Sequence, residues 1–139
     1  MRKELNARRE VPFYLYEKGY RNEGEIREIV LDILAESLKT KKSNTRREHI
    51  IVDLLDENEY IGMVESRRNQ IKKILKGYST MSTSMKSELQ EFGFIISSDG
   101  KHHKLTYYGD SRYVATMAKS SSDSRAGNNL ASEIDKIML

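Results

Sequence analysis

The apolar residues of this chain change period at Gly93. Before it they recur every three or four positions, as on one face of a helix. After it they alternate with polar residues, as along a strand. A chain that is helical in one block and stranded in the next is held to an α+β architecture. Within the stranded block, Asp99-Gly100 signals a tight hairpin turn, because both residues tolerate positive φ. Phe94 to Ser98 reads as one strand and His102 to Tyr108 as its antiparallel neighbour. Gly109-Asp110 reverses the chain again, and Arg112 to Ala118 reads as a third strand.

Helices flank this block. Met85, Leu89 and Phe92 share the face of a short helix that Gly93 stops. Leu130, Ile134 and Ile137 mark a last helix, introduced by the polar run Ser120 to Ser124. Further upstream, Ile26, Ile29, Val30, Ile33, Leu34 and Leu38 form one helical stripe, with Asn22 and Glu25 as a capping box. A second box, Thr45 with Glu48, precedes the stripe Ile50, Ile51, Leu54 and Leu55. A third helix is expected from near Met63 to Tyr78, burying Val64, Ile71, Ile74, Leu75 and Tyr78 and turning Arg67, Arg68, Lys72, Lys73 and Lys76 to solvent. Three such helices make a small bundle. The polar stretch 79–84 gives the expected boundary: a helical domain over 1–80, and an α-β-β-β-α module with a three-stranded antiparallel sheet over 81–139.

The chain has 139 residues and a formal net charge of +3, which alone does not identify a nucleic-acid partner. The whole excess lies in residues 1–22, a basic and aromatic arm with Arg8, Arg9, Phe13, Tyr14, Tyr16 and Tyr20. Any basic surface elsewhere must arise from segregation of charge on folding. There is no cysteine, which excludes disulfides and thiolate metal sites and fits a cytoplasmic location. The sequence has no apolar run of membrane-spanning length and no h-region at its start, so no membrane association is expected. His49 stands among charges without matching ligands, and neither a metal nor another cofactor is expected.

Side chains alternate across a strand, so His102, Lys104, Thr106 and Tyr108 share one face and His103, Leu105 and Tyr107 the other. Leu105 belongs under the covering helices, which leaves the His102 face open. A cation, a hydroxyl, an aromatic ring and an imidazole on one open face can meet phosphate, ribose and base. Lys101 and Lys119 are further candidate nucleic-acid contacts. His102 is the candidate general acid or base if RNA is cleaved, and the adjacent His103 points away. The start of the last helix, with Arg125 and Asn128, is a candidate anion contact or a simple N-cap by Asp123 or Ser124. Gly127-Asn128-Asn129 is a weak helix start by propensity and hints at a close approach to another backbone or to a ligand. The Arg67, Arg68 and Lys72 face of the third helix is either a phosphate contact or simply solvated.

From Ser84 to Leu139 the chain resembles the HicA family of small toxins, on Gly93-Phe94 and Gly100-Lys101-His102. The resemblance implies a double-stranded-RNA-binding-like fold, a catalytic histidine at His102, mRNA interferase activity and a neutralising antitoxin. The chain departs from that family in three ways. Lys101 stands where the family has a small hydroxyl residue. The third strand and last helix look more like a module attached to other domains. The helical segment before Ser84 has no counterpart in the small toxins. The expectation is a nucleic-acid-binding protein, RNA before DNA, that binds alone or also cleaves. The rival is a non-catalytic scaffold subunit of a bacterial defence or toxin–antitoxin system, docking a partner or a second copy through its helices.

Overall fold

The computed structural model describes residues 12–16, 23–40 and 43–139. Five helices and three strands are formed among them: α1 (Glu25–Ser37), α2 (Arg46–Glu57), α3 (Met63–Leu75), α4 (Thr83–Phe92), β1 (Phe94–Asp99), β2 (His102–Tyr107), β3 (Val114–Ala118) and α5 (Ala126–Met138). The class is α+β, with helices first and then the α-β-β-β-α order expected from the change of period. The Thr45 hydroxyl accepts from the Glu48 N–H at 3.2 Å, while the Glu48 carboxylate accepts from the Asn44 N–H at 2.8 Å. That second box therefore caps α2 as expected. Asn22 of the first box lies outside the described residues, and the N-cap of α1 is Gly24, whose φ of 81° suits a residue without a side chain.

The sheet is antiparallel in the order β1-β2-β3. Asp99 faces His102, Ser97 faces Lys104 and Ile95 faces Thr106; on the other side His102 faces Ala118 and Lys104 faces Thr116. The turn is one residue later than expected, because Asp99 is paired in β1 and the two loop residues are Gly100 and Lys101. Only Gly100 of that pair has positive φ, at 60°. Glycine first in a two-residue loop is the II′ preference, and it wins over the Asp-Gly alternative. The second strand also ends early. Tyr108 adopts a φ of 51°, outside the strand region, and its N–H donates to the Gly93 carbonyl at 2.8 Å. The third strand begins at Val114 instead of Arg112, whose guanidinium is held back by Asp110 at 2.7 Å.

One apolar core lies between the sheet and the helices. Leu89 and Phe92 of α4, Phe94, Leu105, Tyr107, Ala115 and Met117 of the sheet, and Leu130, Ala131 and Ile134 of α5 meet in it. Ile71, Ile74, Leu75 and Tyr78 of α3 and its C-terminal end belong to the same cluster, so the core is continuous across residue 80. Gly127 fixes how closely α5 lies on α3. A Cβ there would overlap the Leu75 carbonyl oxygen and sit 3.0 Å from its carbon and 3.3 Å from Tyr78 Cβ. The close approach to another backbone expected at the Gly127-Asn128-Asn129 start is therefore present.

The attachment of α1 departs most from the apolar pattern. Its buried residues are Glu25, Glu28 and Leu31, while Val30 and Ile33 of the expected stripe are exposed. Polar partners explain the reversal. The Ile61 and Met63 N–H groups donate to Glu28 Oε1 at 3.1 and 3.0 Å. Gly62, the N-cap of α3, has no side chain to do this, so a carboxylate from α1 caps α3 and complements its dipole. Glu25 accepts from the Tyr107 hydroxyl at 2.9 Å and stands 3.7 Å from Arg67 Nε.

Candidate nucleic-acid interface

Every helix that touches the sheet covers the face of His103, Leu105 and Tyr107. The opposite face carries Ile95, Ser97 and Asp99 on β1, then Thr106, Lys104 and His102 on β2, then Val114, Thr116 and Ala118 on β3, as the register requires. His102 and Lys104 are exposed and Thr106 is half-buried. Strand alternation thus separates the two histidines as expected.

At the hairpin end, Gly100, Lys101, His102, Ala118, Lys119 and Ser120 line a cleft of about 440 Å³. The Lys119 N–H donates to the Lys101 carbonyl at 2.9 Å, which closes the end of β3 onto the loop. The Lys119 ammonium turns to the covered side and donates to Ser98 Oγ. There it acts on His103. Burial lowers the His103 pKa, and the positive charges of Lys119 and then Lys86 lower it further. His103 is therefore biased towards its neutral form. Cationic or titratable groups surround the hairpin end from both faces, with Asp99, directly opposite His102, as the nearest acid in the register.

The other expected contacts are not gathered there. Tyr108 leaves the open face: its ring packs over Gly93 and lies 4.6 Å from the Tyr107 ring. Arg67 is buried, 7% exposed, and does not belong to the solvent-facing basic side of α3. It donates to the Phe92 carbonyl at 2.6 Å and to the Tyr107 hydroxyl, and its Cζ sits 3.7 Å above the Phe92 ring. Burial, ahead of the charges around it, pushes the Tyr107 hydroxyl far above its usual pKa, which keeps it a neutral donor to Glu25. Arg68 is neutralised by Asp135 at 2.6 Å, with Glu65 and Asp32 further out at 3.5 and 3.7 Å. Arg125 pairs with Asp123 at 3.3 Å. The Asp123 carboxylate also accepts from the Arg125 N–H at 2.9 Å, so it caps the approach to α5 although Arg125 is the N-cap. Lys72 does reach solvent, in a different cleft of about 560 Å³ with Lys73, Lys76, Asn128 and Ser132. Ser132 was not singled out from the sequence. The signal for it was Gly127, which brings α5 against α3.

Among the described residues no three His, Asp or Glu side chains gather as a metal site, and no helix is long and apolar enough to cross a membrane. Comparison with protein-family models, curated proteins and solved structures found no match to this chain. Function rests on the geometry of the site itself.

Proposed function

We propose that this chain is a cytoplasmic nucleic-acid-binding protein that prefers RNA and engages it at the hairpin end of the sheet. The observation that carries this reading is the hairpin-end cleft lined by Lys101 and His102, with Lys104 exposed two residues further along the same face of β2. Lysines supply phosphate contacts, and the row of His102, Thr106, Ser97 and Thr116 supplies donors and acceptors for ribose hydroxyls. The HicA resemblance of this segment points the same way, towards RNA and towards an antitoxin partner. A gel shift at low salt with RNA and DNA of the same sequence tests it: RNA is retarded more strongly, and retardation of neither overturns the reading.

Cleavage is a second reading, favoured by the exposed His102 imidazole beside Lys101 in the hairpin-end cleft. In that reading His102 takes the 2′-hydroxyl proton as the 2′-oxygen bonds to phosphorus, the P–O5′ bond breaks, the 5′-oxygen leaves with a proton from solvent, and Lys101 offers positive charge to the phosphorane. A protein partner on the helical segment is supported by a different feature, an apolar groove between α1 and α2 lined by Phe13, Leu15, Val30, Leu31, Leu34 and Leu54.

A further inference from the structure

The cleft between α3 and α5 has no part in the hairpin site, and its chemistry is unusually one-sided. Lys72, Lys73, Lys76, Asn128 and Ser132 line it, and all five are exposed. No carboxylate is among them. None of the three lysines forms an ion pair with a described residue, whereas both arginines of the same helix do: Arg67 with Glu25, and Arg68 with Asp135. The helix thus commits its arginines to structure, and its lysines have no counter-charge among the described residues. Positions 72, 73 and 76 fall within little more than one helical turn, so their ammonium groups repel one another in the free protein. Gly127 completes the site by letting α5 approach Leu75, which sets the Asn128 amide and the Ser132 hydroxyl beside the lysines.

We infer that this cleft is a second contact for nucleic acid, one that holds backbone phosphates independently of the hairpin end. Three cations so close together, with no ion pair among the described residues, are matched by a polyanion of high linear charge density, and duplex nucleic acid carries about one charge per 1.7 Å of axis. Asn and Ser side chains are usual phosphate-oxygen donors. An acidic peptide fits less well: the cleft has no apolar side chain, and protein interfaces place an apolar core within a polar rim. The inference takes only its ligand class from the nucleic-acid reading; its residues are separate.

Backbone amide NMR spectra of the full chain, titrated at low salt with a short single-stranded RNA and with its duplex, test both sites at once. Shifts at Lys72, Lys73, Lys76, Asn128 and Ser132 that added salt reverses are the expected result. The triple substitution Lys72→Ala, Lys73→Ala and Lys76→Ala abolishes them and lowers the slope of log K against log salt by about 2 for a single strand. Shifts confined to the hairpin end would overturn this inference and leave the hairpin reading standing. Shifts confined to the α3–α5 cleft would do the reverse, and an RNA that moves neither set defeats both. An oligoglutamate that moves the α3–α5 amides while RNA does not would assign the cleft to an acidic protein partner and sink the proposal.

Discussion

Replacing Gly127 with alanine sets two effects of opposite sign against each other. Alanine is the better helix former, by up to about 1 kcal/mol in a helix interior and less in the first turn, where residue 127 sits. Against this, the new Cβ would overlap the Leu75 carbonyl oxygen, and it would also crowd Leu75 C at 3.0 Å and Tyr78 Cβ at 3.3 Å. The obstacle is backbone, which cannot swing aside as a flexible side chain could. To restore contact distance α5 must lift from α3 by roughly 1 Å, enough to forfeit a quarter to a half of each dispersion contact along the seam. That seam includes Ile71, Leu75, Leu130, Ala131 and Ile134. Overpacking of this kind costs typically 1–3 kcal/mol. The net expectation is a loss of about 2 kcal/mol, which at roughly 3–5 °C per kcal/mol for a chain of this size lowers Tm by about 6–10 °C. Urea unfolding followed by circular dichroism measures it, with Ser132→Ala on the exposed side of α5 as the control. The control gains up to about 0.5 kcal/mol from propensity alone. If Gly127→Ala instead stabilised the protein as the control does, the close approach of α5 to Leu75 would be wrong.

Three other outcomes follow from the same structure. Glu25→Ala strands the buried Arg67 guanidinium and is expected to cost about 3–5 kcal/mol, whereas Glu25→Leu combined with Arg67→Met recovers most of that loss; urea midpoints of the single and double variants check this. His103 has its pKa lowered by folding, so the unfolded chain takes up a proton first as pH falls. Its contribution to stability is complete above the unfolded value near 6.5 and is lost as pH falls from there through the folded value. His103→Gln should flatten that part of the stability–pH curve, and an unchanged curve contradicts the assignment. His102→Ala should abolish any chelator-resistant RNA cleavage by the purified protein while leaving Tm unchanged, and cleavage that persists excludes His102 as the catalyst.

Much of this fold was legible because local and long-range demands agreed. The α-β-β-β-α order, the separation of His102 from His103, and the buried residues Val64, Ile71, Ile74, Leu75 and Tyr78 all follow from periodicity, since the same apolar faces that set the period are the ones buried. The misses share a different cause. Nothing local tells Arg67 from Lys72, yet one lies over Phe92 and the other faces solvent, because only Arg67 meets Glu25 and the Phe92 carbonyl. Likewise Glu25 and Glu28 displace Val30 and Ile33 from burial through partners more than thirty residues away. The turn slipped by one residue because Gly100 serves either Asp99-Gly100 or Gly100-Lys101, and pairing of Asp99 with His102 selects the second. Of the candidate site, Lys101, His102 and Lys119 share one cleft, with Lys104 and Thr106 on the adjoining face. The placement of His102, Lys104 and Thr106 on one face was readable from strand alternation; the burial of Arg67, the pairing of Arg68 and Arg125 and the turn of Tyr108 were not.

The salt dependence of RNA affinity in a hairpin-end variant tests the central claim most directly. Fluorescence anisotropy of labelled RNA would be followed across a salt series for the wild type and for Lys101→Ala combined with Lys104→Ala. Both lysines are exposed and outside the core, so folding is expected to survive. If the hairpin end holds phosphates, the variant binds more weakly at low salt and its slope falls by roughly 0.7 for each lysine removed with a single strand. A wild type with no affinity at low salt, or a variant whose affinity and slope match the wild type, would contradict the account.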